Sequence, residues 1–285
     1  MLYALAAPLA AETVRVASYN VEMYRKTPGI MLRDILRGDP QAEAVARVIA
    51  HTAPDILLLQ GVDYDAELHG AHALRDLITK TGLHYPHVFA RRPNTGMMTG
   101  IDLNGDGRKE GAADAQGFGY FSGQRGMVLF SRWPIDADEV QDFSALLWRD
   151  LTGATLPTQD NAPFPSEQAQ AVQRLSSTGH WIVPISHPDG ATITLMGFAA
   201  TPPVFDGPED RNGLRNADEI NLWTHVLDGN LGTAPTQQFF ILGTANLDPT
   251  KSQGRHHAIQ SLLDHSKLQD PSPKSDQHGG DTVDW

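Results

Sequence analysis

Short apolar runs with the spacing of β-strands alternate along this chain with segments that have the spacing of amphipathic helices. Residues 14–20 alternate apolar and polar side chains, as a strand with one covered face does. Residues 54–60 form a continuous apolar run between turn residues, which is typical of a strand covered on both faces. The alternation predicts an α/β protein built in layers, and by itself it also fits a doubly wound parallel sheet.

The same periodicities locate the other elements. Helices are predicted over residues 40–51, 66–81, 212–227 and 256–265, and further strands over residues 127–131, 181–185, 192–198 and 238–242. Residues 91–126 are rich in Gly, Asp and Asn and predict a long functional loop, because ordinary connections are far shorter. Residues 146–177 contain Pro157, Pro163 and Pro165 and are predicted to be irregular and exposed.

Composition limits the function classes. With 285 residues, 40% of them hydrophobic, the chain can bury a large core in one large domain or two. Its net charge of -12 repels polyanions, so we expect no tight nonspecific binding to nucleic acid. The absence of cysteine excludes disulfides, thiolate zinc sites and cysteine nucleophiles. The sequence also lacks the Gly-x-Ser-x-Gly and His-Glu-x-x-His motifs of serine hydrolases and zinc proteases.

The first eleven residues have the features of a targeting segment. Residues 2–10 are mostly apolar, and Ala10 and Ala11 supply the small residues of a secretory cleavage site. We therefore predict a signal-peptide-like remnant over residues 1–11 and an exported, periplasmic or extracellular protein; the alternative is a plain hydrophobic first strand. No stretch reaches the ~18 apolar residues of a membrane span, so none is predicted.

Four segments occur in the order seen in a bacterial, often exported branch of one enzyme superfamily. They are residues 18–22, 57–65, 200–212 and 243–254. On these segments the chain resembles the endonuclease/exonuclease/phosphatase superfamily of metal-dependent phosphoesterases, the deoxyribonuclease-I-like proteins. The resemblance implies a four-layered α/β/β/α sandwich of two packed mixed β-sheets, as one domain over residues 12–285. It also implies a site at one end of the sheets, built from strand termini.

The resemblance also implies a chemistry. In that family one or two divalent cations, here expected to be Mg²⁺ or Mn²⁺, polarise a small phosphoester or a nucleic-acid phosphate. A histidine paired with a carboxylate activates the attacking water. Asn20 matches the family asparagine after the first strand, and Asn246 and Asp248 belong to the last motif. These three residues are the catalytic candidates.

Several positions of the family pattern carry other residues. Gly61 stands where the family has its metal-binding glutamate, Ala199 where it has a histidine, and Thr244 where it has an aspartate. The closing Ser-Asp-His element has no counterpart up to Trp285, and we expect the domain to lack its last strand. Because such groups act as a unit, we expect weak or lost phosphoesterase activity. The alternative is a catalytically inactive, calcium-stabilised binding protein on the same fold.

Other residues are candidates for the missing roles. Asp63 and Asp65 follow the second strand, and they are the predicted metal ligands if they converge with Asp248 on one cation. Arg211 and Asn212 begin a predicted helix in a region that faces the cleft in the family, and they are the predicted substrate-binding residues. A solvated helix face with intrahelical pairs explains these two equally well.

A separate segment fits the start of a calcium loop. Its pattern is Asp-x-Asn-x-Asp-Gly from residue 102, with Ala113 at the twelfth position, so that closure falls to Asp114 or Glu110. The alternative is a polar turn without metal. The predicted Ca²⁺ ligands are Asp102, Asn104, Asp106 and Asp114.

Overall fold

The computed structural model describes residues 13–236, 238–251 and 253–272. The strands of this part are β1 Val16–Asn20, β2 Ile56–Val62, β3 His87–Phe89, β4 Gly126–Ser131, β5 Gln141–Asp142, β6 Thr158–Gln159, β7 Ala162–Pro163, β8 His180–Ser186, β9 Thr192–Ala199 and β10 Phe239–Thr244. The α-helices are α1 Ile30–Leu36, α2 Pro40–Thr52, α3 His69–Thr79, α4 Glu167–Val172, α5 Arg211–Leu227 and α6 His257–Leu263. The signal-like segment over residues 1–11 lies outside the described residues, and its assignment stays a prediction.

Two mixed four-stranded sheets form the centre of the molecule. The first has the order β1-β2-β4-β3, and the second has the order β10-β9-β8-β5. Each contains one parallel pair, β1 with β2 and β9 with β10, while its other neighbours are antiparallel. This topology confirms the predicted sandwich of two mixed sheets and excludes the doubly wound parallel sheet that the alternation alone also fitted.

Three apolar clusters separate four layers. One lies between α1, α2, α3 and the first sheet, a second lies between the sheets, and a third lies between the second sheet and α5 and α6. Residues 56–59 of β2 are all apolar because alternate side chains enter the first and second clusters. The first cluster contains Leu57 and Leu74, the second Leu58 and Trp181, and the third Met196 and Trp223.

Helix ends follow local signals. Asp39 begins α2 by accepting a hydrogen bond from the Ala42 amide at 2.9 Å, and Pro40 occupies the first turn, where its missing N–H costs nothing. The structure starts α3 at His69, three residues later than predicted. Asp65 explains this, because its carboxylate accepts the amides of His69 and Gly70 at 2.8 and 2.9 Å.

Two short helices differ from the sequence expectation, and the predicted long loop is held in place by hydrogen bonds. Helix α1 was not predicted, and α4 interrupts the segment predicted to be irregular. The long loop over residues 91–126 is tied down by Asn94, whose amide donates to the carbonyl oxygens of Ser144 and Ser176 at 2.6 and 2.7 Å. Within the described residues, every helix is too short or too polar to cross a membrane.

Candidate functional site

An open cleft of about 280 Å³ lies where four strands end. It collects the residues that terminate β1, β2, β9 and β10, as predicted for a site built from strand termini. Its lining among the described residues consists of Asn20, Glu22, Tyr24, Gln60, Gly61, Thr95, Phe118, Arg125, Ser177, Thr178, Ala199, Ala200, Thr201, Pro202, Phe205, Thr244 and Asn246.

Strand pairing explains why these residues meet. Asn20 is the register partner of Gln60 in the first sheet, and Thr244 is the partner of Ala199 in the second. Because parallel strands end at the same edge of a sheet, both pairs reach the same end of the sandwich. The Thr244 hydroxyl then contacts Gln60 Oε1 across the two sheets at 3.4 Å. A neutral hydroxyl–amide contact therefore occupies the seam between the sheets.

Gly61 differs from its neighbours in backbone conformation as well as in lacking a side chain. Its φ is +73°, and the pairing of β2 with β4 is irregular between Gln60 and Val62. A Cβ at this position would lie 2.8 Å from Asn20 Oδ1 and 2.9 Å from the Glu22 amide nitrogen. The backbone is thus shaped for glycine, and a glutamate here meets both positive φ and steric crowding.

The two retained asparagines have different surroundings. Asn246 has a φ of +52°, a conformation that asparagine tolerates well, and its Nδ2 donates to the Ala200 carbonyl oxygen at 2.9 Å. It therefore ties the end of β10 to the end of β9. Asn20 is exposed, and its side chain makes no hydrogen bond within the described parts of the chain.

The cleft has few charges. Glu22 is the only carboxylate among its described lining residues, and Arg125 is the only cation. The Arg125 guanidinium carbon lies 3.7 Å from the centroid of the Tyr24 ring, and Arg125 donates to the Tyr24 hydroxyl. Hard divalent cations bind several carboxylates or carbonyls, and across residues 13–236, 238–251 and 253–272 no three His, Asp or Glu side chains form such a group. The residues of this cleft do not fit the family metal.

The predicted acidic ligands do not converge in the cleft. Asp63 is buried, and its two carboxylate oxygens accept the backbone amides of Arg25 and Arg125 at 2.8 and 3.1 Å. Asp65 accepts the first two backbone amides of α3, as described above. Asp248 is exposed and accepts hydrogen bonds from the Thr250 amide and hydroxyl at 2.7 and 2.9 Å in the turn after β10. All three carboxylates accept hydrogen bonds from backbone amides, and none of the three residues lines the cleft.

Burial changes the titration of Asp63. Desolvation raises the pKa of its carboxyl to about 6, against the lowering effect of the two amide hydrogen bonds. The group therefore changes charge near neutral pH, next to the Arg125 segment that lines the cleft.

The two predicted substrate-binding residues donate hydrogen bonds to loop carbonyl oxygens. Arg211 donates to the carbonyl oxygen of Leu103, and Asn212 Nδ2 donates to the Val204 carbonyl oxygen at 2.7 Å. Burial lowers the pKa of Arg211, while nearby carboxylates, including Asp114 and Asp102, oppose this effect. Neither side chain lines the cleft, although Asn212 holds the loop that carries Phe205.

The segment predicted to bind calcium is closed by its own backbone. Asp102 accepts the amides of Asn104, Gly105 and Gly107 at 3.1, 2.6 and 2.8 Å. The other acidic and amide groups also bind amides: Asn104 accepts from Asp106, Asp106 from Arg108, and Asp114 from Leu103 and Gly111. Asp114 is 1% exposed, so it organises the loop from inside.

A buried carboxylate outside the predicted site residues holds the cleft wall. Glu219 Oε1 accepts the Ser177 hydroxyl at 2.7 Å, and Oε2 accepts the Thr201 amide at 2.7 Å. Desolvation raises the pKa of Glu219, and the positive charge of Arg215 counteracts it. Arg215 in turn donates to four carbonyl oxygens. The only sequence signal was a cluster of charged residues near the start of helix α5.

Comparison with known families gives one match. The endonuclease/exonuclease/phosphatase family matches the chain over residues 17–285. A search of curated proteins gives no match.

Solved structures of low sequence identity are also similar to the chain. An endonuclease/exonuclease/phosphatase from Beutenbergia cavernae is 17% identical, with a TM-score of 0.49 over 88% of this chain and 53% of that one. Sphingomyelinase C from Streptomyces griseocarneus is 16% identical, with a TM-score of 0.46 over 88% and 68%. A beta toxin mutant from Staphylococcus aureus with bound magnesium ions is 13% identical, with a TM-score of 0.44 over 88% and 69%. The chain thus spans about half the length of the first of these structures.

Proposed function

The chain belongs to the endonuclease/exonuclease/phosphatase family of metal-dependent phosphoesterases, and from that premise we propose that it keeps the family's cleft as a binding site and has lost metal-dependent hydrolysis. The observation that supports this proposal is the donor set of the cleft. Amides and hydroxyls dominate its polar lining, and Glu22 is the single carboxylate among the described lining residues.

The reaction explains why this donor set matters. A phosphoester is already anionic and repels hydroxide, so the family relies on a cation to polarise the phosphate and on a histidine to activate water. Gly61, Ala199 and Thr244 offer neither a carboxylate nor an imidazole at the three matching positions. Removing several members of one catalytic unit leaves little catalysis. The proposal follows from the joint loss at all three positions.

The rival function is a phosphoesterase with a rebuilt metal site. One observation favours it: Glu22 is exposed and lines the same cleft as Asn20. A single carboxylate and amide oxygens form a weak site for Mg²⁺, which keeps most of its waters and needs near-octahedral geometry. If the chain is such a phosphoesterase, its hydrolytic activity depends on Glu22.

Hydrolysis assays separate the two functions. The purified chain is mixed with bis(p-nitrophenyl) phosphate or supercoiled DNA, and Mg²⁺ or Mn²⁺ is titrated against a chelator. We expect no turnover above the rate of the metal alone, from protein shown to be folded by circular dichroism. Metal-dependent turnover that falls at least tenfold in Glu22→Gln, but not in the surface variant Glu43→Gln, would establish the rebuilt enzyme instead.

Calcium at residues 102–114 stays a separate prediction. Asp102, Asn104 and Asp106 provide oxygen ligands at alternate positions, as calcium loops do. The test is the melting temperature in millimolar CaCl₂ against chelator. We expect calcium to raise it for the natural chain and not for Asp106→Ala, whose residue lies at the exposed tip of the loop. An equal melting temperature in both buffers means that internal hydrogen bonds and Arg211 alone hold this loop.

A further inference from the structure

Resting on the proposed binding function, we propose that the cleft binds a neutral polyhydroxylated ligand, a glycoside or short oligosaccharide, and not a phosphate ester. Three independent features of the cleft carry this assignment: its unused polar groups, its charge balance and its exposed aromatic rings.

Apart from the exposed carboxylate of Glu22, the polar groups that remain available in the cleft are neutral and point to hydroxyl-bearing ligands. Asn20 and the hydroxyls of Thr178 and Thr201 make no side-chain hydrogen bond among the described residues, and Asn246 uses only its Nδ2. Amides and hydroxyls both donate and accept, as sugar hydroxyls do, so each can pair with a vicinal diol. The cleft therefore offers matched partners to a polyol.

The charges of the cleft do not select an anion. Arg125 is its single described cation, and it is already engaged with the Tyr24 ring and hydroxyl. Glu22 in the same lining opposes it, and the whole chain carries a net charge of -12. A phosphate dianion would meet one occupied arginine and a repulsive field, whereas a neutral ligand meets neither penalty.

Exposed aromatic rings line the entrance. Phe205 is 78% exposed and Phe118 is 55% exposed, and both belong to the cleft lining. Phe118 also makes an edge contact with Tyr120, with ring centroids 5.8 Å apart. Rings left in water are unfavourable unless a ligand covers them, and the apolar C–H face of a pyranose is such a cover.

The backbone keeps Phe205 in this exposed position. Its φ is +69°, a conformation that is strained for a bulky residue. The hydrogen bond from Asn212 to the Val204 carbonyl oxygen holds the preceding residue. Strain of this kind persists where a functional geometry requires it. The cleft volume of about 280 Å³ is close to the lower end of ligand pockets and suits a short saccharide.

Calorimetry and saturation-transfer NMR test the ligand class. The probes are cellotriose, maltotriose and diacetylchitobiose, with glucose 6-phosphate and inorganic phosphate as competitors at equal ionic strength. We expect at least one neutral saccharide to bind more tightly than every competitor. Phe205→Ala and Asn20→Ala should each weaken that binding at least tenfold. Phe240→Ala, which changes an exposed phenylalanine outside the cleft, should alter it less than twofold.

Two results overturn this proposal. One is the absence of binding to all three saccharides by folded protein. The other is tighter binding of glucose 6-phosphate or inorganic phosphate, with that binding lost in Arg125→Ala. Neither result bears on hydrolysis, which the metal-dependent assay measures separately. The proposed loss of catalysis and the proposed ligand class therefore fail on different measurements.

Discussion

Gly61 lies at the irregular end of β2 with positive φ and no room for a Cβ. Gly100 provides a matched control, because its φ of +72° is nearly the same and a Cβ there has nothing within 4 Å. We expect Gly100→Ala to lower the free energy of unfolding by about 1 kcal/mol from positive φ alone. Gly61→Ala should cost about twice as much or more, because crowding adds to the strain. Urea unfolding measures both values.

Equal costs for the two alanine variants would contradict the crowding at Gly61. The same geometry has a consequence for repairing the site. Restoring an aspartate with Thr244→Asp places a carboxylate on a regular strand, whereas Gly61→Glu requires the backbone of β2 to change. A glutamate at residue 61 would therefore require a different main-chain conformation.

Asp63 gives the chain a specific dependence on pH. Burial raises its pKa from 3.8 to about 6, so the folded state binds a proton that the unfolded state has released. Its stabilising contribution is complete below pH ~4 and disappears as the pH rises through about 6. Allowing for solvent screening, we expect the free energy of unfolding to lose about 1–2 kcal/mol across this interval from Asp63 alone.

The difference in the free energy of unfolding between the natural chain and Asp63→Asn isolates the contribution of Asp63, since all other groups titrate in both proteins. Relative to the natural chain, the variant should become more stable by about 1–2 kcal/mol between pH 4 and pH 7. Chemical unfolding at half-unit pH steps measures this difference. A difference that stays flat, or runs in the opposite direction, would show that the buried Asp63 is ionised throughout.

At the scale of elements, the question at Asp65 is whether its carboxylate stabilises the start of a helix or binds a metal ion. Its carboxylate accepts two backbone amides at the start of α3. Asp65→Ala should therefore lower the free energy of unfolding by about 1 kcal/mol, as the loss of a helix cap does. Asp39→Ala, which removes the cap of α2, should have a similar effect. Mn²⁺ should shift the melting temperature of the natural chain and both variants equally.

A manganese-dependent stabilisation that only Asp65→Ala abolishes would instead identify Asp65 as a metal ligand. The comparison uses two helices of the same protein, so a general loss of stability cannot imitate it.

Element patterns predict much of this fold. The run before Gln60 correctly indicates a strand covered on both faces, and helix α5 begins and ends within one residue of its prediction. The short α1 and α4 were missed because seven and six residues carry too little periodicity. Asn20, Thr244 and Asn246, which belong to the segments that carry the family resemblance, line one cleft.

The roles of the acidic residues could not be predicted from the sequence, because they depend on local hydrogen bonds. Alternation along β2 cannot predict where Asp63 and Asp65 point, because the irregularity at Gly61 breaks the period of two. Asp248 follows a strand in sequence, yet turn amides take its carboxylate. Glu219 was also hidden, since only the folded structure shows that helix α5 is buried on nearly every side.

At the scale of the whole molecule, the two sheets meet at the cleft through groups that carry no charge. Thr244 and Gln60 approach each other there, and Glu219 joins the segments of Ser177 and Thr201 behind them. The site is thus held by protein hydrogen bonds. Its geometry should therefore not depend on chelators.

The overall charge predicts weak association with DNA, with a salt dependence opposite to that of a basic DNA-binding protein. A net charge of -12 and a cleft with one arginine repel the phosphates of DNA. Fluorescence anisotropy with a labelled 20-base-pair duplex should show no binding at ~10 µM protein in low salt, where a basic binder is at its tightest. Any residual association should not weaken as salt rises, because added salt screens repulsion here rather than attraction. Submicromolar binding that falls steeply with salt would reveal a basic surface and return nucleic acid to the candidate ligands.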